Sequence, residues 1–363
     1  MKEKAAKKRK RKLRGWTKVA IVALSLFLVV AIVMGVGHSV YMSYYNKMNY
    51  EETVTRTEFG RCMRRVLEGD MRELMHAEHV YNILLIGDDS RNADESKRSD
   101  AMILISINES TEQIIMTSLM RDSWVYIPGY GADRLNEAQV KGGTDLLIDT
   151  IETNFRIKID NYMKIDFFAF MEVVDALGGV EMTITDEEVE NMNYYIPQLN
   201  KLLGNPKEQD VMTVGGTYTL NGIQTLAYVR CRYVSGAEFG RTGRQRKVLT
   251  VLFERFKECS LAEMLDVVEV VLPNVTTDIS EDKLLSLITN ASLEYKDYEL
   301  VSQSMPFDGT WRGWIHELNG DKKEVLSIDI ELNSQQLIQS IYGVDLSEEE
   351  EEDEITEEEI SEE

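Results

Sequence analysis

The chain has 363 residues, more than the roughly 250–300 that one hydrophobic core usually organises, so we expect one large domain with appendages. Hydrophobic residues at 43% and charged residues at 28% are typical of a globular chain, and three cysteines exclude a disulfide framework. The net charge of −23 argues against a nucleic-acid-binding protein, which would carry a basic surface.

The N-terminal end combines a basic segment with a long apolar one. Residues 1–18 hold ten lysines and arginines and one acid, and residues 19–37 contain no charge. A helix over that apolar stretch would span about 28 Å, close to the ~30 Å hydrocarbon core of a bilayer. Because basic residues stay in the cytoplasm, we predict a cytoplasmic tail at 1–18 and a transmembrane helix at 19–40, with the remainder outside the cell. The length of the apolar run favours this anchor over a cleaved signal peptide. The position of the basic segment, directly before a predicted membrane helix, favours a topology signal over a DNA-binding tail.

Beyond the predicted membrane helix, the pattern indicates a stalk at 41–80, one domain at 81–345 and an acidic disordered tail at 346–363. The polar, proline-free segment 51–79 predicts a helical stalk. Strands alternate with helices in the domain, which predicts an α/β fold: a central mixed sheet flanked by helices on both faces. We predict strands at 81–87, 101–108, 113–119, 162–165, 180–184 and 298–304, helices at 143–155, 167–177, 221–228, 241–257 and 281–291, and a flap or long loop at 187–216.

Arginines concentrate near the expected sheet edge of this acidic chain. Asp89 follows the first predicted strand and Arg121 the third, and open α/β sheets bind ligands beyond the carboxyl ends of their strands. If segment 230–232 is extended, both of its guanidiniums lie on one side and Cys231 on the other. Guanidiniums bind phosphate oxygens in pairs, and carboxylates hold a hard cation such as Mg²⁺. The residues therefore indicate a phosphate site that needs no histidine, although any single arginine taken alone is more often a surface ion-pair partner.

A helix start carries further candidates for this site. Arg241, Arg244 and Gln245 have the i, i+3, i+4 spacing that predicts one shared helix face. The four histidines leave the chain between His79 and His316 without one, so serine–histidine or cysteine–histidine catalysis is not expected. There is also no nucleotide-binding loop motif, which argues against nucleotide hydrolysis.

Seven sequence blocks in a fixed order resemble the LytR-CpsA-Psr family. They are NILLIGDDSR (82–91), RSDAMILISI (98–107), MTSLMRDSWVYIPGYG (116–131), RLNEAQVKGG (134–143), DFFAFMEVVDALGGVEM (166–182), LNGIQTLAYVRCRY (220–233) and EFGRTGRQRKVL (238–249). The resemblance covers roughly residues 81–256. It implies an extracytoplasmic phosphotransferase of Gram-positive-type envelopes. Such enzymes move a glycopolymer (teichoic acid, capsule or a related polymer) from undecaprenyl pyrophosphate to a peptidoglycan hydroxyl.

The resemblance also implies roles for individual residues. Asp89 and Asp100 match the ligands of Mg²⁺, for which Mn²⁺ is the alternative. Arg134 stands where the family commonly has lysine, and Glu238 stands where aspartate is usual. Glu238 is therefore a candidate for positioning or deprotonating the acceptor hydroxyl, beside Arg98 and Arg121 as catalytic candidates. The pyrophosphate-binding set comprises Arg98, Arg121, Arg134, Arg230, Arg232, Arg241 and Gln245.

The resemblance places a lipid channel along helices such as 146–155 and 167–177, whose apolar residues suit an ordinary core equally well. Two other functions stay open, a transcriptional attenuator (a label attached to the family) and a polyprenyl-pyrophosphate hydrolase. The tail at 1–18 is too short for a DNA-binding domain. Expected partners are the lipid-linked glycopolymer, peptidoglycan and the bilayer, without nucleic acid. We expect no structural disulfide, although a Cys62–Cys259 pair stays open.

Overall fold

A computed structural model describes residues 49–50, 74–88, 99–232, 234, 237–318 and 321–344. The predicted cytoplasmic tail, membrane helix and acidic tail lie outside these residues, as does most of the predicted stalk. No helix of the described part is both long and apolar enough to cross a membrane.

Strands and helices alternate through the described chain. The strands are β1 (Asn49–Tyr50), β2 (Val80–Asp88), β3 (Ser99–Asn108), β4 (Gln113–Leu119), β5 (Ser123–Ile127), β6 (Gly131–Arg134), β7 (Asn161–Asp166), β8 (Val180–Ile184), β9 (Gly216–Leu220), β10 (Val275–Thr277), β11 (Glu299–Met305), β12 (Trp311–Leu318) and β13 (Asp321–Ile328). The helices are α1 (Glu137–Phe155), α2 (Phe167–Ala176), α3 (Asp186–Leu203), α4 (Gly222–Arg230), α5 (Ala237–Glu258), α6 (Leu261–Val271), α7 (Glu281–Leu293) and α8 (Ile330–Tyr342). The mixed α/β class predicted from the sequence is confirmed.

The main sheet has seven strands in the order β1-β10-β7-β2-β3-β4-β11. β3 runs antiparallel to both β2 and β4, whereas β7 is parallel to β2 and β11 is parallel to β4. The carboxyl ends of β2, β4, β7 and β11 therefore meet at one edge of the sheet, together with the start of β3. This is the edge at which the sequence predicts the phosphate site.

Two hydrophobic clusters build the described domain. The first packs α1 and α8 against the sheet, where Leu84 and Leu104 lie opposite each other and are fully buried with Ile151 and Phe155. The second joins α2, α3, α4 and α5 to the two-stranded β8–β9 sheet. Burial of these aliphatic and aromatic side chains is the main source of stability and holds the helices in place around the sheet edge.

The sequence pattern locates α1 correctly but not its kink. The predicted helix at 143–155 corresponds to the part of α1 after Gly142 and Gly143, whose backbone angles are not helical. A Cβ at Gly142 would lie 2.7 Å from the Cβ of Leu146, and Gly143 has a φ of +71°, so the kink favours glycine at both positions. The kink lets residues 137–141 form a separate helical segment before the core part of α1.

The flap or loop predicted at 187–216 is wrong, because most of it forms α3. Thr185 and Glu188 form a capping box at its start, and Val189, Met192 and Ile196 are buried along one face. Pro197 within the helix and the many polar residues conceal this period in the sequence.

The end of the predicted helical stalk is also different. Residues 74–79 are not helical: the backbone N–H of Met75 donates to Arg156 at 2.7 Å, and Lys158 donates back to Met75. This short bridge packs Met75 against the first hydrophobic cluster. The pattern likewise did not predict α8 or a four-stranded sheet with the order β12-β13-β5-β6.

Candidate active site

A cavity of about 420 Å³ lies between the main sheet and the helices of the second cluster. Its floor is one face of β2, β3 and β7, where Leu85 faces Ile103 and Gly87 lies between Ala101 and Ile165. A Cβ on Gly87 would approach the Cβ of Ala101 to 3.1 Å. The glycine–alanine pair thus keeps the part of the floor at Gly87 and Ala101 free of bulky side chains.

The walls of the cavity are largely apolar. Helix α2 contributes two aromatic rings, α3 contributes two tyrosines, and α4 and α5 contribute aliphatic residues. These wall residues are Phe167, Phe170, Tyr194, Tyr195, Leu226, Val229 and Leu249. Such a lining suits a hydrocarbon chain, because burying apolar surface from water is favourable by about 25 cal/mol per Å².

Four of the residues predicted to bind pyrophosphate line this same cavity. Arg230 ends α4, Arg232 follows it, and Arg241 and Gln245 lie one turn apart on α5. Arg241 is buried, with 3% of its surface exposed. The structure therefore combines an apolar chamber with three guanidiniums and a carboxamide in one cavity.

The local geometry at Arg230 differs from the predicted extended segment. Arg230 is the last residue of α4, and Cys231 caps the helix with backbone angles that are not helical. Cys231 nevertheless packs inward as predicted, with no exposed surface, and burial raises the pKa of its thiol to about 12. The two flanking arginines still reach the same cavity.

Aromatic rings orient Arg230. Its guanidinium carbon lies 4.7 Å from the centroid of the Phe167 ring and 5.2 Å from that of Tyr195. Cation–π contacts of this kind stabilise an arginine and restrict its orientation. Tyr195 is a functional candidate that the sequence analysis missed, because it lies in the segment predicted as a loop. Phe167 belongs to a helix predicted to line the lipid channel, but its contact with Arg230 was not predicted.

Arg244 is separated from its expected partners on α5. Instead of lining the cavity, its guanidinium is buried, donates to the carbonyl oxygen of Cys231 at 2.5 Å and lies 3.9 Å from Glu188. Although the spacing places Arg244 near the face of Arg241, its side chain turns towards Glu188 on α3 and the end of α4. Arg244 thereby anchors the backbone between Arg230 and Arg232 to α5.

Arg121 and Arg134 lie near the same sheet edge but are not among the described residues that line the cavity. Arg121 follows β4, with its Nε 3.4 Å from a carboxylate oxygen of Asp122. Arg134 lies 3.5 Å from the other oxygen of Asp122 and 2.6 Å from Glu137. Arg134 thus takes part in a local ion-pair network, which is the alternative to phosphate binding that the sequence left open for any single arginine.

The predicted cation ligands fall partly outside the described residues. Asp89 and Arg98 lie outside, and so do the side chains of Asp100 and Glu238. The backbone of Asp100 is informative, because Gly87 pairs with Ala101 while the next residue of β2 already pairs with Ser99. Asp100 is therefore the extra residue of a β-bulge, a feature that often redirects a side chain beside an active site. Within the described residues, no group of three potential metal ligands is found.

Of the two helices predicted to line a lipid channel, α2 lines the cavity and α1 does not. In α1, residues such as Leu147 and Ile151 are fully buried in the first cluster on the opposite side of the sheet. In α2, Phe167 and Phe170 do line the cavity. Asp166, which the sequence analysis did not single out, also lines it and caps α2 by accepting from the Ala169 N–H at 2.8 Å.

A sequence model of the LytR_cpsA_psr family matches residues 39–334, which is most of the chain. The chain belongs to the LytR-CpsA-Psr family. This member is 31% identical over 279 residues to the polyisoprenyl-teichoic acid–peptidoglycan teichoic acid transferase TagT of Bacillus subtilis, covering 76% of this chain and 81% of the relative. It is 30% identical over 278 residues to the TagU transferase of Oceanobacillus iheyensis, covering 74% of this chain and 81% of that protein.

Solved structures agree with this family membership. The structure described as TagT bound to LIIa-WTA has a TM-score of 0.56 and 27% identity, covering 76% of this LytR-CpsA-Psr chain and 95% of that chain. The family protein YwtF (TagT) with bound octaprenyl pyrophosphate lipid has a TM-score of 0.53 and 25% identity, with the same coverage.

Proposed function

We propose that the protein is an extracytoplasmic phosphotransferase that moves a glycopolymer from a polyprenyl pyrophosphate, such as undecaprenyl pyrophosphate, to peptidoglycan. The observation that carries this proposal is the two-part cavity, whose apolar walls adjoin Arg230, Arg232 and Arg241. A ligand that satisfies both parts has a hydrocarbon chain and an anionic head. The TagT and TagU names of the relatives, and the octaprenyl pyrophosphate bound to one related structure, support the same substrate class.

The reaction is a phosphoryl-centred substitution. The acceptor hydroxyl oxygen attacks the phosphorus that carries the glycopolymer, the bond from this phosphorus to the bridging oxygen breaks, and polyprenyl phosphate leaves. The hydroxyl proton passes to a base, and a phosphodiester joins polymer and peptidoglycan. Guanidiniums from Arg230, Arg232 and Arg241 stabilise the charge on the phosphate oxygens, and one well-placed arginine can contribute roughly 10³–10⁵ in rate.

A divalent cation fits the chemistry of this sheet edge. Asp88 ends β2 opposite Asp166 on β7, and Asp100 occupies the adjacent bulge. Carboxylate oxygens are the donors that Mg²⁺ prefers, and Mn²⁺ accepts them as well. We assign Asp89 and Asp100 as the ligands, and the cation, when bound, neutralises charge on the pyrophosphate.

Other residues take supporting roles in the proposal. Glu238 precedes Arg241 by three residues on α5, so both belong to the same helical turn, and we assign Glu238 to positioning the acceptor hydroxyl or removing its proton. Arg98 and Arg121 contribute positive charge from the edge at which β3 begins and β4 ends. We place the domain outside the cell, anchored in the membrane by residues 19–40 with the N-terminus in the cytoplasm.

The proposal is tested with full-length protein in detergent, lipid-linked glycopolymer labelled in the polymer, and insoluble peptidoglycan. Wild type should transfer the label to the insoluble acceptor, and Arg241→Ala should lose at least about a hundredfold in rate. Arg255→Ala is a matched control, because Arg255 lies on the same helix with a side chain 56% exposed. Soluble label released equally with and without peptidoglycan would indicate a hydrolase. No turnover with intact lipid binding would favour a regulatory protein.

A further inference from the structure

A carboxylate shares the cavity with the three arginines. Asp166 is the last residue of β7 and directly precedes α2, and it lines the cavity together with Arg230, Arg232 and Arg241. A carboxylate repels the phosphate oxygens that guanidiniums attract. Binding of a pyrophosphate therefore does not explain a negative charge at this position.

One oxygen of this carboxylate has a structural role. Oδ1 of Asp166 accepts a hydrogen bond from the backbone N–H of Ala169 at 2.8 Å and so caps α2. A helix cap of this kind needs one acceptor atom, which serine, threonine or asparagine supplies without a charge. The cap explains why residue 166 is polar, but it does not explain why it is charged.

The second oxygen of the carboxylate is open to a ligand. In the part of the chain that the structure describes, Oδ2 of Asp166 has no hydrogen-bond partner, and no arginine forms an ion pair with this residue. Arg230 comes close, because its guanidinium lies over the ring of the next residue, Phe167, at 4.7 Å. A carboxylate oxygen accepts hydrogen bonds, so the ligand of Oδ2 must be a donor or a cation.

The strand order separates these two kinds of ligand. β2 lies between β3 and β7, so Asp100 at the start of β3 and Asp166 at the end of β7 lie on opposite sides of it. Two strand spacings amount to roughly 10 Å. The residues assigned to the cation, Asp89 and Asp100, belong to the side of β2 and β3. The side of β7, with Asp166, is left for a hydroxyl donor.

We infer that Asp166 binds the acceptor hydroxyl and receives its proton. This inference rests on the proposed function, because the hydroxyl belongs to the acceptor of that reaction. The hydroxyl donates to Oδ2, and its oxygen attacks the phosphorus that carries the glycopolymer. The bond from this phosphorus to the bridging oxygen breaks, and polyprenyl phosphate leaves with the electron pair. The proton passes to Asp166, which leaves Glu238 with the positioning role.

A carboxylate is chemically suited to this step. In protein kinases an aspartate likewise accepts the proton of the substrate hydroxyl that attacks phosphorus. A positioned general base typically contributes about 10²–10⁴ in rate. The charge of Asp166 should therefore affect the rate of transfer and leave the binding of the lipid pyrophosphate intact.

Asp166→Asn separates the charge from the helix cap, because asparagine caps helices about as well as aspartate and keeps an oxygen for the Ala169 N–H. In the transfer assay with full-length protein, this variant should lower kcat at least about a hundredfold. Asp175→Asn is the matched control and should leave kcat unchanged. Asp175 lies on the same helix, accepts from the backbone N–H of Gly222 at 2.7 Å, and does not line the cavity.

Three further measurements show whether Asp166 acts on the hydroxyl. The urea midpoint, the retention of polyprenyl pyrophosphate in native mass spectrometry and the Mn²⁺ affinity by electron paramagnetic resonance should be equal in wild type and Asp166→Asn. Weaker Mn²⁺ binding in the variant would assign the carboxylate to the cation and overturn the inference. Weaker lipid retention by the folded variant would assign it to the donor substrate, with the same consequence.

Failure of the inference is distinguishable from failure of the proposed function. If wild type transfers polymer to peptidoglycan and Asp166→Asn keeps a kcat within about twofold of it, Asp166 is only a helix cap and the proposed function stands. If wild type transfers no polymer to peptidoglycan, the proposed function is wrong and the inference falls with it.

Discussion

The guanidinium of Arg230 lies over the ring of Phe167, with 4.7 Å between the guanidinium carbon and the ring centroid. Phe167 is the first residue of α2, directly after the strand end at Asp166, so the sheet itself positions the ring. The arginine ends α4, whereas the second ring that it contacts belongs to Tyr195 on α3. Three elements thus converge to orient one positive charge towards the cavity.

Arg230→Lys keeps this charge but loses the planar group that stacks on the rings. A cation–π contact contributes about 0.5–2 kcal/mol, so we expect transfer activity to fall about 3- to 30-fold. Steady-state kcat/KM for the lipid-linked substrate measures the effect. Arg255→Lys, at a solvent-exposed position of α5, serves as the control and should be neutral. Equal activity of Arg230→Lys and wild type would contradict an orienting role for the rings.

The cavity floor should limit the lipid that can bind. Ala101→Leu adds a branched side chain beside Gly87, at a position that lines the cavity. Because the added atoms occupy the chamber, we expect weaker retention of long polyprenyl chains, measured by mass spectrometry of bound lipid. Ala132→Leu on the exposed face of β6 is the matched control. Unchanged lipid occupancy in Ala101→Leu would show that the prenyl chain lies elsewhere.

Arg244 should matter for folding stability more than for charge at the cavity. Arg244→Ala leaves the buried carboxylate of Glu188 without this cation and the Cys231 carbonyl without its donor. Breaking a buried ion pair from one side costs about 3–5 kcal/mol, so the urea midpoint should fall markedly. Glu188→Gln, which keeps the shape and hydrogen-bonding capacity, should cost less. A midpoint equal to that of wild type in Arg244→Ala would contradict an anchoring role.

Asp133 provides a pH-dependent contribution to stability. Burial opposes its ionisation, but hydrogen bonds from Lys141 at 2.7 Å and Lys323 at 2.9 Å overcome this and lower its pKa to about 2. Because the folded pKa lies below the ordinary 3.8, the stabilisation is present above pH 3.8 and is lost as the pH falls through 2. Urea unfolding of wild type and Asp133→Asn should therefore differ at pH 5 and converge towards pH 2. A difference that stays constant over this range would contradict the assigned pKa.

Several strands could be predicted from the sequence because their signals are local. The apolar run of β4 and the Gly178-Gly179 pair before β8 set the observed bounds of both strands. Helix α3 could not be predicted, because Pro197 and a polar exposed face conceal the spacing of its buried residues. The tyrosines that α3 adds to the cavity were missed for the same reason.

The charged residues of the candidate site could be predicted from the sequence, but the directions of their side chains could not. Arg230, Arg232, Arg241 and Gln245 line one cavity because the helix ends that carry them meet above β2 and β3. The spacing of α5 did not reveal that Arg244 turns towards Glu188, since that choice depends on a carboxylate far away in the chain. Contacts with distant elements decide which arginine lines the cavity and which one supports the backbone.

The most direct test of the account is native mass spectrometry of the protein purified with lipid. Wild type incubated with polyprenyl pyrophosphate should retain one lipid per chain, and Arg230→Ala combined with Arg241→Ala should lose it while keeping the wild-type circular dichroism spectrum. Equal lipid occupancy in the folded double variant would contradict the claim that the arginine-lined cavity binds the pyrophosphate.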